Sequence, residues 1–92
     1  MQINFSKKSV KDLQSLKKYI YADNKVASKE VVEYIIDIIE NTLSSNTSLG
    51  KAGRVLGTRE LNLTKYPYNI IYKVQDKQLF VVRILHSSRK WN

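Results

Sequence analysis

Hydrophobic and polar positions follow two different periods along this chain, and the change falls near residue 50. Gln2-Ile3-Asn4-Phe5 alternates polar and apolar, which predicts a short strand. A helix is predicted from Ser6 or Ser9, because Ser9-Val-Lys-Asp12 has the spacing of a capping box, in which side-chain oxygens satisfy orphan amides. Its apolar stripe is Val10, Leu13, Leu16 and Ile20, with Lys7, Lys8, Lys11, Lys17 and Lys18 turned outward. Asp23-Asn24 breaks it. From about Val26 to Leu43 a second stripe, Val31, Val32, Ile35, Ile36, Ile38, Ile39 and Leu43, recurs at helical spacing. The β-branched content would also suit strands, but these eighteen residues hold no Gly or Pro and exceed the length of a usual strand.

After a polar loop, Ser44 to Lys51 with Gly50 near its end, the period becomes two. Arg59-Leu61-Leu63, then Tyr68-Ile70-Tyr72-Val74, then Phe80-Val82-Ile84-His86 with Val81-Arg83-Leu85 on the opposite face, read as three consecutive strands. Pro67 separates the first two and Asp76-Lys77 turns the second pair. A meander with two helices packed on it buries the apolar face of both. The expected architecture is therefore α+β, in the order β-α-α-β-β-β, with two N-terminal helices on an antiparallel sheet in a single domain spanning 1–92. Tyr66, Tyr68 and Tyr72 suit the half-buried pleat of such a sheet.

Composition narrows the function classes. There is no cysteine, which excludes a disulfide frame and a thiolate zinc site. No apolar run is long enough to span a membrane and the N-terminus lacks the plan of a signal peptide, so a soluble, cytoplasmic protein with no membrane partner is expected. Net charge is +8, unevenly spread: residues 1–50 carry seven lysines against six acids, whereas residues 51–92 carry nine cations against Glu60 and Asp76. The asymmetry suggests an anionic partner, nucleic acid or an acidic protein.

With one histidine, no P-loop pattern and no paired carboxylates in the basic half, metal, nucleotide and hydrolase-triad chemistry have no signature, and no cofactor or metal is expected. What remains is cations and aromatics. The C-terminal LHSSRKWN sets His86 at the end of the last strand with Arg89, Lys90 and Trp91 beyond it. These types could position and polarise an RNA phosphodiester; alternatively His86 is a hydrogen-bonded structural residue and Trp91 an anchor for the core or a partner. Arg83 lies among Val81, Val82, Ile84 and Leu85, where a charge must reach solvent, find a carboxylate, with Glu60 the expected partner, or line a functional groove facing a phosphate. In GRVLGTRELNL, residues 53–63, Gly53 and Gly57 supply backbone freedom while Arg54 and Arg59 supply charge to a binding surface.

Taken together, GRVLGTREL at 53–61, YPYNIIYKV at 66–74, VVRILHSSRKW at 81–91 and the upstream DLQSLKKYI resemble the RelE/ParE superfamily of small bacterial toxins, most closely its ParE-like branch. The resemblance spans nearly the whole chain. It implies the β-α-α-β-β-β fold and the role of toxin in a type II toxin–antitoxin operon, the plasmid-stabilising kind of system, neutralised by a cognate antitoxin that wraps its surface. RelE-like relatives cleave messenger RNA on the ribosome with basic residues and often a C-terminal Tyr or His; ParE-like relatives poison DNA gyrase. For an RNA-cleaving mechanism the candidates are Arg59, Arg83 and His86. For binding the antitoxin or target they are Arg54, Arg59, Arg83, His86, Arg89, Lys90 and Trp91. Trp91 stands where RelE-like proteins usually carry a tyrosine and cannot act as an acid or base, and the lysine-rich catalytic strand is absent, which favours the gyrase-directed reading. A non-toxic nucleic-acid-binding module is the remaining alternative.

Overall fold

Ser6 starts the first helix. In the computed structural model, which describes residues 1–88, strand β1 (Gln2–Phe5) is followed by α1 (Lys7–Asp23). The Ser6 hydroxyl accepts the Ser9 N–H at 2.9 Å and donates to the Val82 carbonyl at 2.7 Å, so the cap also ties the helix to the sheet. Ser9 and Asp12 do not form the expected capping box: Ser9 is fully buried with its hydroxyl on the Ser6 carbonyl, and Asp12 is engaged elsewhere. The buried side of α1 is Ser9, Leu13, Leu16 and Ile20, spaced i, i+4, i+7, i+11. Val10, expected in that stripe, is turned about 100° from Ser9 and is exposed.

Asn24 explains the break between the helices. In an extended conformation (φ −154°, ψ 104°) its N–H closes α1 on the Ile20 carbonyl, and its side chain accepts the Ala27 N–H at 3.0 Å to open α2 (Lys25–Asp37). The helix continues through a π-helical turn, Ile38–Leu43. Val31, Ile35, Ile39 and Leu43 are all buried, yet steps of four advance about 40° per step around an α-helix. Wider i→i+5 turns reverse that drift, and Ser44 N–H bonds the Ile39 carbonyl in this way at 3.3 Å.

The second half forms β2 (Lys51–Ala52), β3 (Arg59–Asn62), β4 (Tyr68–Gln75) and β5 (Gln78–His86), with β2 an edge strand too short for the alternation to disclose. The five strands lie in the order β1-β5-β4-β3-β2. The sheet is mixed rather than wholly antiparallel, because β1 runs parallel to β5 while the other pairs are antiparallel. Asp76 and Lys77, both at positive φ, turn β4 into β5 as a two-residue hairpin.

Strand β5 departs from simple alternation. Tyr72 lies opposite Val81 but Ile71 opposite Arg83, so Val82 is an extra residue in a bulge. The bulge moves Val81, with Leu79 and Ile84, onto the face that carries Tyr68, Ile70 and Tyr72, whereas unbroken alternation places Val81 opposite Ile84. Against this face pack Leu16, Val31, Ile35, Ile39 and Leu43, forming the core. Tyr72 is buried, and its hydroxyl accepts the Gly50 N–H at 2.8 Å and donates to the Thr47 carbonyl at 2.7 Å, pinning the interhelix-to-sheet loop. No helix among the described residues is long and apolar enough to cross a membrane.

Candidate functional site

The loop joining β2 to β3 is braced from within. Gly53 N–H meets the Thr58 carbonyl at 2.8 Å, and a Cβ on Gly53 would lie 2.2 Å from the Thr58 hydroxyl, so only glycine permits the approach. Gly57 holds φ +84°. Arg54 forms a two-pronged pair with Glu60, Nε to Oε2 at 2.9 Å and Nη2 to Oε1 at 2.8 Å, and its own N–H also reaches Oε2 at 2.8 Å. The guanidinium hydrogen bond holds the Glu60 carboxyl below its ordinary value of 4.5 against the opposing effect of burial, with the Arg54 N–H and the nearby positive charge adding to the depression. The same contact raises Arg54.

A depressed carboxylate stabilises the fold above its unfolded value and loses that contribution as pH falls through the folded one. Thermal melts are therefore expected to show stability falling below about pH 4.5 in the parent and falling less steeply in Glu60→Gln. Equal slopes would show that Glu60 carries no such linkage.

Arg83 does not pair with Glu60. Both residues lie opposite Ile71, one on each side of it, so two strand spacings, about 9.5 Å, separate them, and Glu60 is already taken by Arg54. Arg83 instead reaches across to α1, Nε to Asp12 Oδ2 at 2.8 Å and Nη2 to Oδ1 at 3.0 Å, and Asp12 also accepts the Ile84 N–H at 3.0 Å. Hydrogen bonding to Asp12 raises the Arg83 guanidinium above its ordinary value. Asp12 is the site-forming residue missed by sequence reasoning; its signal was an acid set inside the run of Lys7, Lys8, Lys11, Lys17 and Lys18 on α1.

Asp12 also lines a cleft of about 500 Å³ between α1 and the end of the sheet, with Ser15, Tyr19, Tyr68, His86 and Ser88. The Tyr68 and His86 rings meet edge to face at 5.5 Å. Burial, then the neighbouring Tyr19, raises the Tyr68 phenol above its ordinary value of 10.0. His86 is exposed, and its Nδ1 accepts the Ser88 N–H at 3.2 Å with the Ser88 hydroxyl at 2.8 Å, leaving Nε2 as the protonated nitrogen of the neutral ring. Arg59 is remote from this cleft: its Nη1 donates to the Gly50 carbonyl at 2.7 Å. Arg59 stands opposite Tyr72 and His86 opposite Tyr68, so they differ by four residues along β4, about 13 Å, and by two strand spacings across.

The structure thus brings Arg83 and His86 against the middle of α1, places Arg54 and Arg59 around the β2–β3 loop, and gives each of the three arginines an internal partner. Arg89, Lys90 and Trp91 lie outside the described residues. Among the described residues no group of three His, Asp or Glu side chains could hold a metal ion.

The comparisons with known proteins agree with this fold. A sequence profile for the ParE toxin of the type II toxin–antitoxin system parDE matches residues 3–91. A candidate toxin of Sinorhizobium fredii, Y4kP, is 27% identical over 90 residues, covering 98% of this chain and 92% of that protein. Among solved structures, a chain of the chromosomal ParDE system of P. aeruginosa superposes with a TM-score of 0.73 at 21% identity, covering 94% of this chain and 95% of that one. A chain of the RelBE2 toxin–antitoxin complex of Mycobacterium tuberculosis gives 0.71 at 18% identity, with coverage of 92% and 95%. The isolated RelE toxin of E. coli gives 0.58 at 14%, with coverage of 97% and 86%. With the profile match running across nearly its whole length, the chain belongs to the ParE toxin family of type II toxin–antitoxin systems.

Proposed function

We propose that this toxin acts as its ParE-like resemblance implies, by binding and poisoning DNA gyrase in the cytoplasm, and that a cognate antitoxin neutralises it. The observation that carries the reading is the dispersal of the three residues an RNA-cleaving mechanism would use. General acid–base cleavage needs the proton carrier and the anion-stabilising cations within hydrogen-bond reach of one phosphodiester. Arg59 and His86 stand on the two strands that flank β4, opposite Tyr72 and Tyr68 respectively, and the Arg83 charge is matched by Asp12. The family match to the ParE toxin supports the same target class. On this reading the protein is not an enzyme; it traps one.

Induction without the antitoxin is expected to arrest growth and produce DNA breaks, and co-expression of the antitoxin to restore growth. His86→Ala is expected to keep the arrest within a few-fold of the parent. A ribonuclease relying on His86 would instead lose about 10²–10⁴-fold in transcript cleavage. Messenger decay in the parent that disappears in folded His86→Ala would favour the ribosome-directed alternative. Unimpaired growth with DNA binding alone would favour the nucleic-acid-binding module.

A further inference from the structure

The loop between β2 and β3 is braced, and it presents apolar side chains to water. Residues 55–58 form a β-turn closed by the Thr58 N–H on the Val55 carbonyl at 3.1 Å, with Gly57, at φ +84°, in the third position, where a type II turn requires the left-handed region. The Thr58 hydroxyl donates to the same carbonyl at 2.6 Å, while the Gly53 and Arg54 N–H groups are held by the Thr58 carbonyl and Glu60. Leu56 therefore occupies the outer corner of the turn. It is fully exposed, and its neighbour Val55 is 44% exposed.

A single exposed leucine is ordinary on a protein surface. One held at the corner of a closed turn is not, because fixing an apolar side chain gains nothing in water, whereas it removes beforehand part of the ordering cost of binding. The tip is convex, so what receives it is a concave apolar pocket in a folded protein. Residues 51–63 hold Lys51, Arg54 and Arg59 against Glu60 alone, so carboxylates at the rim of that pocket complement the base of the loop. Two cavities among the described residues are of sufficient size, and neither suits the tip, which argues against a second copy as the receiver. The groove of about 600 Å³ between α1 and α2 is edged by Lys17, Lys25 and Lys29, and in the cleft beside Tyr68 the acid, Asp12, is already matched by Arg83. A membrane is the weaker receiver, because even a myristoyl chain, with far more apolar surface than Val55 and Leu56, anchors a protein only marginally.

We propose that Val55 and Leu56 enter an acid-rimmed apolar pocket of the enzyme that this toxin poisons. The inference rests on the toxin reading above and assigns it a point of contact. The convex shape of the tip selects the target over the antitoxin. An enzyme carries concave pockets because its own chemistry needs them, and a projecting apolar anchor is the shape that fills one. A neutralising partner has only to cover the toxin and needs no cavity.

Leu56→Ser and Val55→Ser remove apolar surface from the tip and leave the backbone bonds that brace it, and Val26→Ser makes the comparable change at an exposed position on α2. Each variant is to be compared with the parent for growth arrest on induction, for affinity toward the purified antitoxin and for melting temperature. The expected result is about tenfold or greater loss of toxicity in Leu56→Ser and a smaller loss in Val55→Ser, with antitoxin affinity, melting temperature and the Val26→Ser control close to the parent. Leu56→Ser that arrests growth as the parent does would overturn the proposal. So would a matching loss of antitoxin affinity, which would make the antitoxin the receiver, or an equal loss of toxicity in Val26→Ser. Binding of the parent to anionic phospholipid vesicles or to plasmid DNA alone that Leu56→Ser abolishes would overturn it as well, in favour of a lipid or a base step as the receiver. Growth arrest reads the tip whichever enzyme is poisoned, while the absence of gyrase cleavage by the parent would count against the gyrase reading alone.

Discussion

Asp12→Ala is expected to cost the fold about 3–5 kcal/mol, the cost of leaving a buried charge without its partner. The two side chains of the pair are only 13% and 10% exposed, so water replaces the carboxylate at Arg83 only in part. The same oxygen that pairs with the guanidinium also accepts the Ile84 N–H, so the substitution strands a backbone donor beside the bulge. Chemical denaturation read by circular dichroism measures the loss. Replacing both partners together, Asp12→Leu with Arg83→Met, should recover much of it, because no charge is then left unpaired. A cost below about 1 kcal/mol for Asp12→Ala would class the contact with ordinary surface pairs and remove it as the link between α1 and β5.

Ile39→Ala is expected to cost about 2–5 kcal/mol. Ile39 is wholly buried in the π-helical turn, and the rotation that turn supplies is what points it and Leu43 into the core. The truncation leaves a cavity in the core cluster that Ile39 shares with Ile35, Leu43 and Tyr72. Val26→Ala, at a 66% exposed position, is expected to stay within about 0.5 kcal/mol. The contrast between the two, measured in the same denaturation assay, checks the assignment of core and surface; comparable losses would contradict it.

These two sites mark how far the pattern of residues could be read. The stripe of Val31, Ile35, Ile39 and Leu43 was legible because a long run without Gly or Pro repeats at near-helical spacing, and the strands were legible because apolar or aromatic residues recur at every second position, as in Leu61-Leu63 and Tyr68-Ile70-Tyr72-Val74. The bulge at Val82 was not, since an apolar run from Leu79 to Val82 satisfies either register until the partner strand is known. The parallel pairing of β1 joins residues 76 positions apart, Gln2 with Gln78 through Phe5 with Val81, and has no local signal. The same limit governed the site. For Arg83 the sequence offered a Glu60 pair or a phosphate-facing role, and the Asp12 partner was not legible because it depends on Glu60 being taken by Arg54 six positions away, a preference visible only once the loop is folded.

The central claim, that this family member poisons gyrase rather than cleaving RNA, is tested most directly by adding the purified toxin to DNA gyrase and supercoiled plasmid and measuring trapped double-strand breaks. The account predicts breaks that require gyrase, rise with toxin concentration and vanish when the antitoxin is added first. Plasmid left uncut at saturating toxin, with messenger RNA cleaved by the same preparation on ribosomes, would contradict it.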